Sequence, residues 1–194
     1  MITIKQLLTQ TPQNKNHGAS FEDPLSLLDS CHEKIINFSS TLYKLSKKLH
    51  QDGWSDELIN TAQNISRYFN VAGPEHHLDE EQHLFPALIT LNINKDFVQN
   101  EESTEVISLI NQMIKEHVES DALWEKINLL LETQSKDFKQ LESLAEEFES
   151  SMHEHADIEN KVIFPYAKEK ISKEDFKIMG AAIAKRRGVK ISKV

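Results

Sequence analysis

Apolar residues recur along most of the chain with the spacing of amphipathic helices. In the first such segment they return every seven residues, at Leu28, Ile35, Leu42 and Leu49. A repeat of this kind is typical of a helix that packs in a bundle. Asp23 directly precedes Pro24, and this order favours a helix start because Asp caps a helix and Pro suits its first turn. The pattern predicts a first helix over about 24–50, which Asp52 and Gly53 end.

Further segments with helical periodicity follow. In chain order they cover about 55–91, 103–132, 136–170 and 173–187. Gly73 and Pro74 fall inside the second helix and are expected to kink or interrupt it, while Ser172 is a good cap for the last helix. Short connections between long helices make neighbours antiparallel. The chain is therefore predicted to be all-α, an up-down-up-down antiparallel four-helix bundle with a short C-terminal helix.

The same pattern divides the chain into three parts. Residues 1–22 are polar and aperiodic, and they are predicted to form a flexible N-terminal arm. Residues 23–171 are predicted to form the bundle, and residues 172–194 the short C-terminal helix with a basic tail. The basic run Lys185–Arg187 is expected to be a solvated end, because charged side chains are mostly exposed.

Composition narrows the functional classes. With 22 Lys and Arg against 31 Asp and Glu, the net charge is −9, which argues against a nucleic-acid surface. No apolar run approaches the roughly 20 residues of a membrane-spanning helix. The single cysteine, Cys31, excludes an intrachain disulfide and favours a reducing, cytoplasmic location; we expect it to be a small buried filler. Nine histidines are an unusual number, and they direct the search for chemistry.

Two eleven-residue segments of the second and fourth predicted helices match one another. They begin at His76 and at His155, and both end in Phe-Pro. When the two are aligned on Phe-Pro, each has a glutamate four residues after its histidine, at Glu80 and Glu159. Four residues make about one helical turn, so each pair points to one side of its helix. Such a pair can offer an imidazole nitrogen and a carboxylate oxygen to a metal ion.

The helix face on which these pairs lie strengthens the metal interpretation. His155 and Glu159 share a row with apolar residues that are predicted to face the core. A bare carboxylate buried there would cost several kcal/mol or would stay protonated, and a cation would remove that cost. The first and third helices each supply one inward histidine, His32 and His117. Their depths match those of the motif histidines within the error of the predicted boundaries.

The donor types indicate the metal. Four imidazoles and two carboxylates exceed the four ligands of one zinc site, and mixed His and carboxylate donors without thiolates suit iron or manganese. Two carboxylates on facing helices can bridge two metals, whereas ferritin-like bundles have four Glu and Glu-x-x-His spacing. A set so rich in His favours a site that binds a small ligand over one that stores iron.

With His32, His117 and two His-x-x-x-Glu motifs that lead to Phe-Pro, the chain resembles the hemerythrin-like, His-His-Glu cation-binding family over about residues 24–170. The resemblance implies a four-helix bundle around two non-haem iron ions, with Glu80 and Glu159 as bridges. It further implies that the terminal ligands are His32, His76, His117 and His155. Relatives bind dioxygen, sense oxygen, iron or redox state, or act on nitric oxide or peroxide. Another divalent metal can take the place of iron.

The sequence departs from the respiratory members of this family, which have a second histidine one turn away on the third helix. Met113 and Asp121 stand at that spacing from His117. Since some relatives recruit a residue beside the motif histidine, His77 is the candidate seventh ligand. The alternative register, His77 with Glu81, has the same spacing but ranks lower, because the Phe-Pro alignment selects the first register.

Three functional classes are left open. The first is a protein that binds dioxygen, nitric oxide or peroxide for sensing, storage or stress protection, and we favour it because four His and two Glu nearly fill two irons. The second is an enzyme that reduces peroxide, nitrite or nitric oxide, or a donor of iron for repair of iron centres. The third is a metal-free structural bundle. No nucleic-acid or membrane partner is expected, and Glu116 is expected to face solvent.

Overall fold

The computed structural model describes residues 20–93 and 101–189, and this part of the chain is helical and contains no strand. The α-helices are α1 (Pro24–Asp52), α2 (Asp56–Phe69), α3 (Ala72–Asp79), α4 (Phe85–Ile93), α5 (Glu101–Glu132), α6 (Phe138–Ile158), α7 (Phe164–Lys170) and α8 (Lys173–Arg186). Two π-helical segments, Glu80–Leu84 and Glu159–Ile163, lie between them. The all-helical prediction is confirmed. The predicted arm and the last residues of the basic tail fall mostly outside the described residues.

The predicted helix starts are present, and each has a local cause. The side chains of Asp23, Ser55 and Ser172 each accept a hydrogen bond from a backbone N–H three residues further on, at the starts of α1, α2 and α8. Each cap satisfies one of the N–H groups that a helix leaves without a partner at its beginning. Loss of such a cap typically costs ~1 kcal/mol, so these side chains help to fix where the helices begin.

The second predicted helix is interrupted, but not where the sequence indicated. α2 ends at Phe69, and α3 begins at Ala72, so the break lies before Gly73. Pro74 lies in the first turn of α3. Proline costs no hydrogen bond at this position, because the first N–H groups of a helix have no partner within it. Pro74 therefore starts a new helix rather than kinking an existing one.

Each motif glutamate begins a π-helical turn, which the periodicity does not predict. The N–H groups of Phe85 and Phe164 donate to the carbonyls of Glu80 and Glu159, five residues earlier. The residue after each phenylalanine is proline, which has no N–H and whose ring crowds the carbonyl four residues before it. The wider turn accommodates the proline, and π turns of this kind are frequent at functional sites.

The long helices pack side by side with opposite chain directions. α1 contacts α2 and α6, and α5 contacts the same two helices. Along α1, His50 pairs with Glu142, whereas the earlier residue Tyr43 pairs with Glu146 of α6. The partner's residue number falls as the number along α1 rises, so α1 and α6 are antiparallel, as their short connections to neighbouring helices predict.

Two apolar clusters lie on either side of a polar layer. One includes Phe69, Trp124 and Phe148, and the other includes Leu84 and Met113. The buried polar residues at the level between them are His32, His76, Asp79, Glu80, His117, His155 and Glu159. This arrangement agrees with the predicted common depth of the four histidines. Among the described helices, none combines the length and the apolar character that crossing a bilayer requires.

α8 is held to the rest of the molecule at its middle and at its C-terminal end. A Cβ atom on Gly180 would lie 1.6 Å from the carbonyl oxygen of Phe21, so only glycine permits this approach. At the end of the helix, Arg186 and Arg187 pair with Asp79. The prediction of a solvated basic end is wrong for these two arginines, because the fully buried Asp79 carboxylate requires cationic partners.

Candidate metal centre

Six of the predicted ligands come together in two groups that share their carboxylates. The first group is His32, His76, Glu80 and Glu159, and the second is Glu80, His117, His155 and Glu159. Within each group, one possible ligand atom from every residue lies within 4.8 Å of the others, and all six residues are buried. Because Glu80 and Glu159 belong to both groups, the arrangement suits two cations joined by two carboxylates.

In the first group, both imidazoles turn Nε2 toward the shared carboxylates. His32 Nε2 lies 2.9 Å from Glu159 Oε2 and 3.8 Å from Glu80 Oε1. His76 Nε2 lies 3.3 Å from the same Glu80 oxygen. The two rings meet edge to face with their centroids 4.7 Å apart. These nitrogens and oxygens therefore face a common space.

The second group has the same form on the other side of the shared carboxylates. His117 Nε2 lies 3.6 Å from Glu80 Oε2, and His155 Nε2 lies 3.4 Å from Glu159 Oε2. The two Nε2 atoms are 3.2 Å apart. Each shared glutamate thus contacts one imidazole of its own helix and at least one from another helix.

Several of these buried atoms make no hydrogen bond of good geometry within the described part of the chain. They are His32 Nε2, His76 Nε2 and both carboxylate oxygens of Glu80 and of Glu159. Buried polar groups are nearly always paired, and a buried carboxylate without compensation costs several kcal/mol. The atoms left without partners are the ones that a metal would bind, so the residues fit metal ions.

The other ring nitrogen of three histidines is held from outside the two groups. The Nδ1 contacts are His32 to Asn160 Oδ1 (2.9 Å), His117 to Glu81 Oε1 (2.7 Å) and His155 to Glu116 Oε2 (3.0 Å). An acceptor oxygen at Nδ1 keeps the proton there and leaves the Nε2 lone pair for a metal. Glu81 and Asn160 each directly follow a motif glutamate. Each motif therefore also orients the histidine of a facing helix.

A family model of the hemerythrin HHE cation-binding domain matches residues 23–167, which include all six residues of the two groups. The chain belongs to the hemerythrin HHE cation-binding family. An uncharacterized protein of Haemophilus influenzae is 29% identical over 172 residues, which cover 89% of this chain and 94% of that protein. A hemerythrin HHE domain binds metal cations, and the buried His and Glu groups could hold them here.

Without a cation, the two shared carboxyl groups of this HHE domain differ in protonation. Burial, together with the negative charge of Glu159, raises the pKa of Glu80 well above its ordinary value. Burial also opposes charge on Glu159, but the close approach of the His155 and His32 imidazoles to Oε2 outweighs burial and holds the pKa of Glu159 well below its ordinary value. Two neighbouring buried carboxyls resist being charged together, so a bound metal would replace the Glu80 proton.

Most imidazoles of the HHE site are held neutral. Burial lowers the pKa of His76 and of His77 well below the ordinary value, and it lowers the pKa of His117 to about 3. Burial opposes charge on His155 too, but its contacts with the carboxylates of Glu159 and Glu116 outweigh burial and raise the pKa of His155. Neutral imidazole is the form that binds metals, so the folded chain prepares most of its ligands.

The predicted seventh ligand, His77, lies outside both groups of described residues. Its ring stacks on that of His117 with centroids 3.9 Å apart, and its Nδ1 lies 3.7 Å from Asp121 Oδ1. Glu81, its partner in the alternative register, contacts His117 from outside instead. The register of His76 with Glu80 is thus the one whose members meet, and ligation by His77 stays a prediction.

A small cavity lies next to the His77 ring, which stacks on His117 of the second group. Its volume is about 20 Å³. Most of its lining is apolar and comes from Ile35, Phe69, Trp124, Phe148 and Met152. A space of this size holds about one water-sized molecule. The cavity therefore has room for a diatomic molecule but not for an organic substrate.

The sequence indicates the candidate ligands but not all the residues that hold them in place. The expectation that Glu116 faces solvent is wrong in part, because its side chain is only 30% exposed and contacts His155. For Glu81 and Asn160 a signal is present, since each follows a motif glutamate. Asp79 has no such signal, because the arginines that pair with it are 107 and 108 residues away.

Protein stripped of metal is expected to lose stability between about pH 6 and about pH 5. His76, His77 and His117 stay neutral in the folded state, whereas the same imidazoles in the unfolded chain take up protons near their ordinary pKa of about 6.5. The unfolded state then binds more protons, so the free energy of unfolding falls. Glu80 and His155, whose pKa values are raised, keep protons when folded and offset part of this loss. The expected net loss is roughly 2 kcal/mol, measured by urea denaturation.

Two variants check this assignment. His117→Gln is expected to show a weaker pH dependence of unfolding, because one neutral buried imidazole is gone. His153→Gln is the matched control, since His153 is exposed, and it should keep the wild-type dependence. Equal pH dependence in wild type and His117→Gln would contradict the assignment.

Proposed function

We propose that this protein is a non-haem di-iron protein that binds dioxygen or a related small ligand, nitric oxide or peroxide, for sensing, storage or stress protection. One observation carries the proposal: two His and Glu groups share the fully buried carboxylates Glu80 and Glu159. In this proposal the two glutamates bridge the irons and a four-helix bundle surrounds them. The terminal ligands are His32, His76, His117 and His155.

The donor set supports iron. Each group offers two imidazole nitrogens and two shared carboxylates, and mixed nitrogen and oxygen donors of this kind suit iron or manganese. A structural zinc site would close at four ligands and would not need to share them. A metal that prefers six ligands would keep unfilled coordination positions in a group of four residues. A small ligand could bind at such a position.

In this proposal the chain holds the metal ions, orients the imidazole rings that bind them and excludes bulk water from the site. Iron bound here would supply reversible electron exchange with the small ligand. Glu80 would give up its proton to make room for the cations, and the outer contacts of Glu81 and Asn160 keep the proton of each facing imidazole on Nδ1. The apolar clusters on both sides of the polar layer exclude bulk water, which strengthens the electrostatic interactions inside the site.

The cavity beside His77 supports an uncharged diatomic as the ligand. Its lining is mostly apolar, so dioxygen or nitric oxide loses little hydration on entering it. Nitrite would lose the hydration of its charge, and the carboxylate of Asp121, which also lines the cavity, would repel it. This observation favours binding of a neutral ligand over nitrite reduction.

Protein produced with ample iron and purified anaerobically is expected to contain two iron ions per chain. Because Glu159 belongs to both groups, Glu159→Gln should lower the content below one ion. His76 belongs to the first group alone, so His76→Ala should leave about one ion in the second. Elemental analysis per chain measures the content, with His153→Ala as the exposed control. Two ions retained in Glu159→Gln would contradict the bridging role.

Ligation by His77 makes a separate prediction. If His77 binds a metal, His77→Ala should weaken the second metal position by about 10-fold to 100-fold and leave the first unchanged. Competition with a chelator of known affinity measures both positions. Unchanged metal affinity, combined with faster loss of nitric oxide, would contradict ligation and would assign His77 to the small ligand instead.

The proposed function is tested by the visible spectrum of the reduced iron protein. When dioxygen is added to an anaerobic sample of this protein, we expect a new visible absorption band that disappears again when the sample is degassed. A parallel sample receives nitric oxide, and a third receives peroxide. Rapid irreversible oxidation of the iron with consumption of peroxide or nitric oxide would instead show turnover. That result would support the alternative function, an enzyme that reduces these molecules. Absence of iron from protein made with ample iron would contradict both functions.

A further inference from the structure

A second charged cluster lies directly outside the two ligand groups, around Asp79. This residue immediately precedes Glu80 and is fully buried. Its Oδ1 accepts a hydrogen bond from Arg186, and its Oδ2 accepts one from Arg187. Both arginines stand at the C-terminal end of α8. The end of one helix therefore determines the surroundings of the residue beside a proposed bridging ligand.

Arg186 also holds the beginning of α3. Its Nη1 donates to Glu75 Oε2 at 2.6 Å, and its Nη2 donates to the Glu75 carbonyl oxygen at 2.7 Å. Asp79 is the last residue of α3, so one guanidinium spans the helix from its first turn to its end. His76, a ligand of the first group, lies between these two points.

Arg187 also lies close to α1, the helix that carries His32. Besides binding Asp79, its guanidinium lies near enough to the Cys31 thiol for its positive charge to act on it, and Cys31 directly precedes His32. The charges of the cluster balance, because the two guanidinium groups face the carboxylates of Asp79 and Glu75. Together the two arginines bind the chain neighbours of His76 and of Glu80, and the charge of Arg187 also acts on the chain neighbour of His32.

The second motif is built differently. The residue that corresponds to Asp79 in the alignment on Phe-Pro is Ile158. The ion pair beside Glu159 joins Lys161 to Asp157, and its side chains are 69% and 63% exposed. A buried charged cluster is therefore not a general requirement of the motif, and this exposed pair offers a matched control.

We propose that the Arg186–Arg187 pair is a positioning clamp that fixes the first ligand group, and Glu80 above all, from outside. The inference rests on the proposed metal function of Glu80. Two guanidinium groups on the two oxygens of one carboxylate fix its rotation as well as its place. Asp79 so held fixes the start of the π-helical turn that begins with Glu80. Lysines would keep the charges but lose the planar arrangement of several donors.

Release of Co²⁺ to a chelator tests the clamp, because bound Co²⁺ absorbs visible light. The double variant Arg186→Lys, Arg187→Lys keeps the net charge, and it is expected to release Co²⁺ to excess EDTA at least about tenfold faster than wild type. Lys161→Met removes the exposed ion pair beside Glu159, and its release rate should stay within about twofold of wild type.

Amide hydrogen exchange on protein without added metal separates positioning from a general loss of stability. The double variant should exchange faster than wild type at residues 76–84, while α2 and α6 stay unchanged. Ile127→Val changes the apolar cluster remote from α8 and lowers overall stability. That variant should leave both the exchange at 76–84 and the rate of Co²⁺ release near wild type.

Two results would overturn the clamp. One is faster exchange confined to α8 with Co²⁺ release within about twofold of wild type, since the arginines would then only dock α8. The other is that Ile127→Val speeds Co²⁺ release and amide exchange at residues 76–84 as much as the double variant does. If wild type takes up no Co²⁺, the proposed metal function fails. The clamp is then judged from amide exchange alone, and unchanged exchange at residues 76–84 in the double variant would contradict it. If the double variant does not fold, Arg187→Lys alone carries both expectations.

Discussion

The rest of the structure depends on the burial of two carboxyl groups, Glu80 and Glu159, at the level where the long helices meet. Neither side chain has any exposure to solvent, so water cannot stabilise a charge on either. What can stabilise them is a proton, a hydrogen bond or a cation. Without a cation, Glu80 keeps its proton and Glu159 relies on imidazoles. Bound metal cations would satisfy both carboxylates at once, and with them the nitrogens that face the same space.

Apolar clusters lie on both sides of the polar layer, so the buried carboxylates must be compensated within that layer. This requirement constrains how all the long helices pack. The carboxylates on two helices lie against imidazoles of other helices that reach the same level, so metal binding would be coupled to helix packing. Asp79, one residue before Glu80, faces the same cost of burial but is compensated within the chain by two arginines. Adjacent residues thus use two different solutions to one electrostatic problem.

The sequence predicts which His and Glu side chains come together better than it predicts the residues that hold them in place. The helices, their caps and the doubled motif follow local rules, since side chains four residues apart share a helix face. His32 and His117 follow the same rules because each interrupts an apolar row. The π-helical turns were missed, because they come from prolines that remove hydrogen bonds rather than from periodicity. The contacts of Asp79 join residues more than a hundred positions apart, and no pattern in one sequence records such a contact.

The outer hydrogen bonds make the two ligand groups unequal even though the two motifs supply the same ligands. Both imidazoles of the second group contact carboxylates from outside. In the first group, His32 contacts the neutral amide of Asn160, and His76 Nδ1 has no hydrogen-bond partner among the described residues. A carboxylate partner makes an imidazole a stronger donor, so a cation held by the second group would meet more basic imidazoles than one held by the first. The small, mostly apolar cavity lies next to His77, whose ring stacks on that of His117 in the second group. The space that suits a neutral molecule is therefore separated by one stacked ring from an imidazole that has a carboxylate partner.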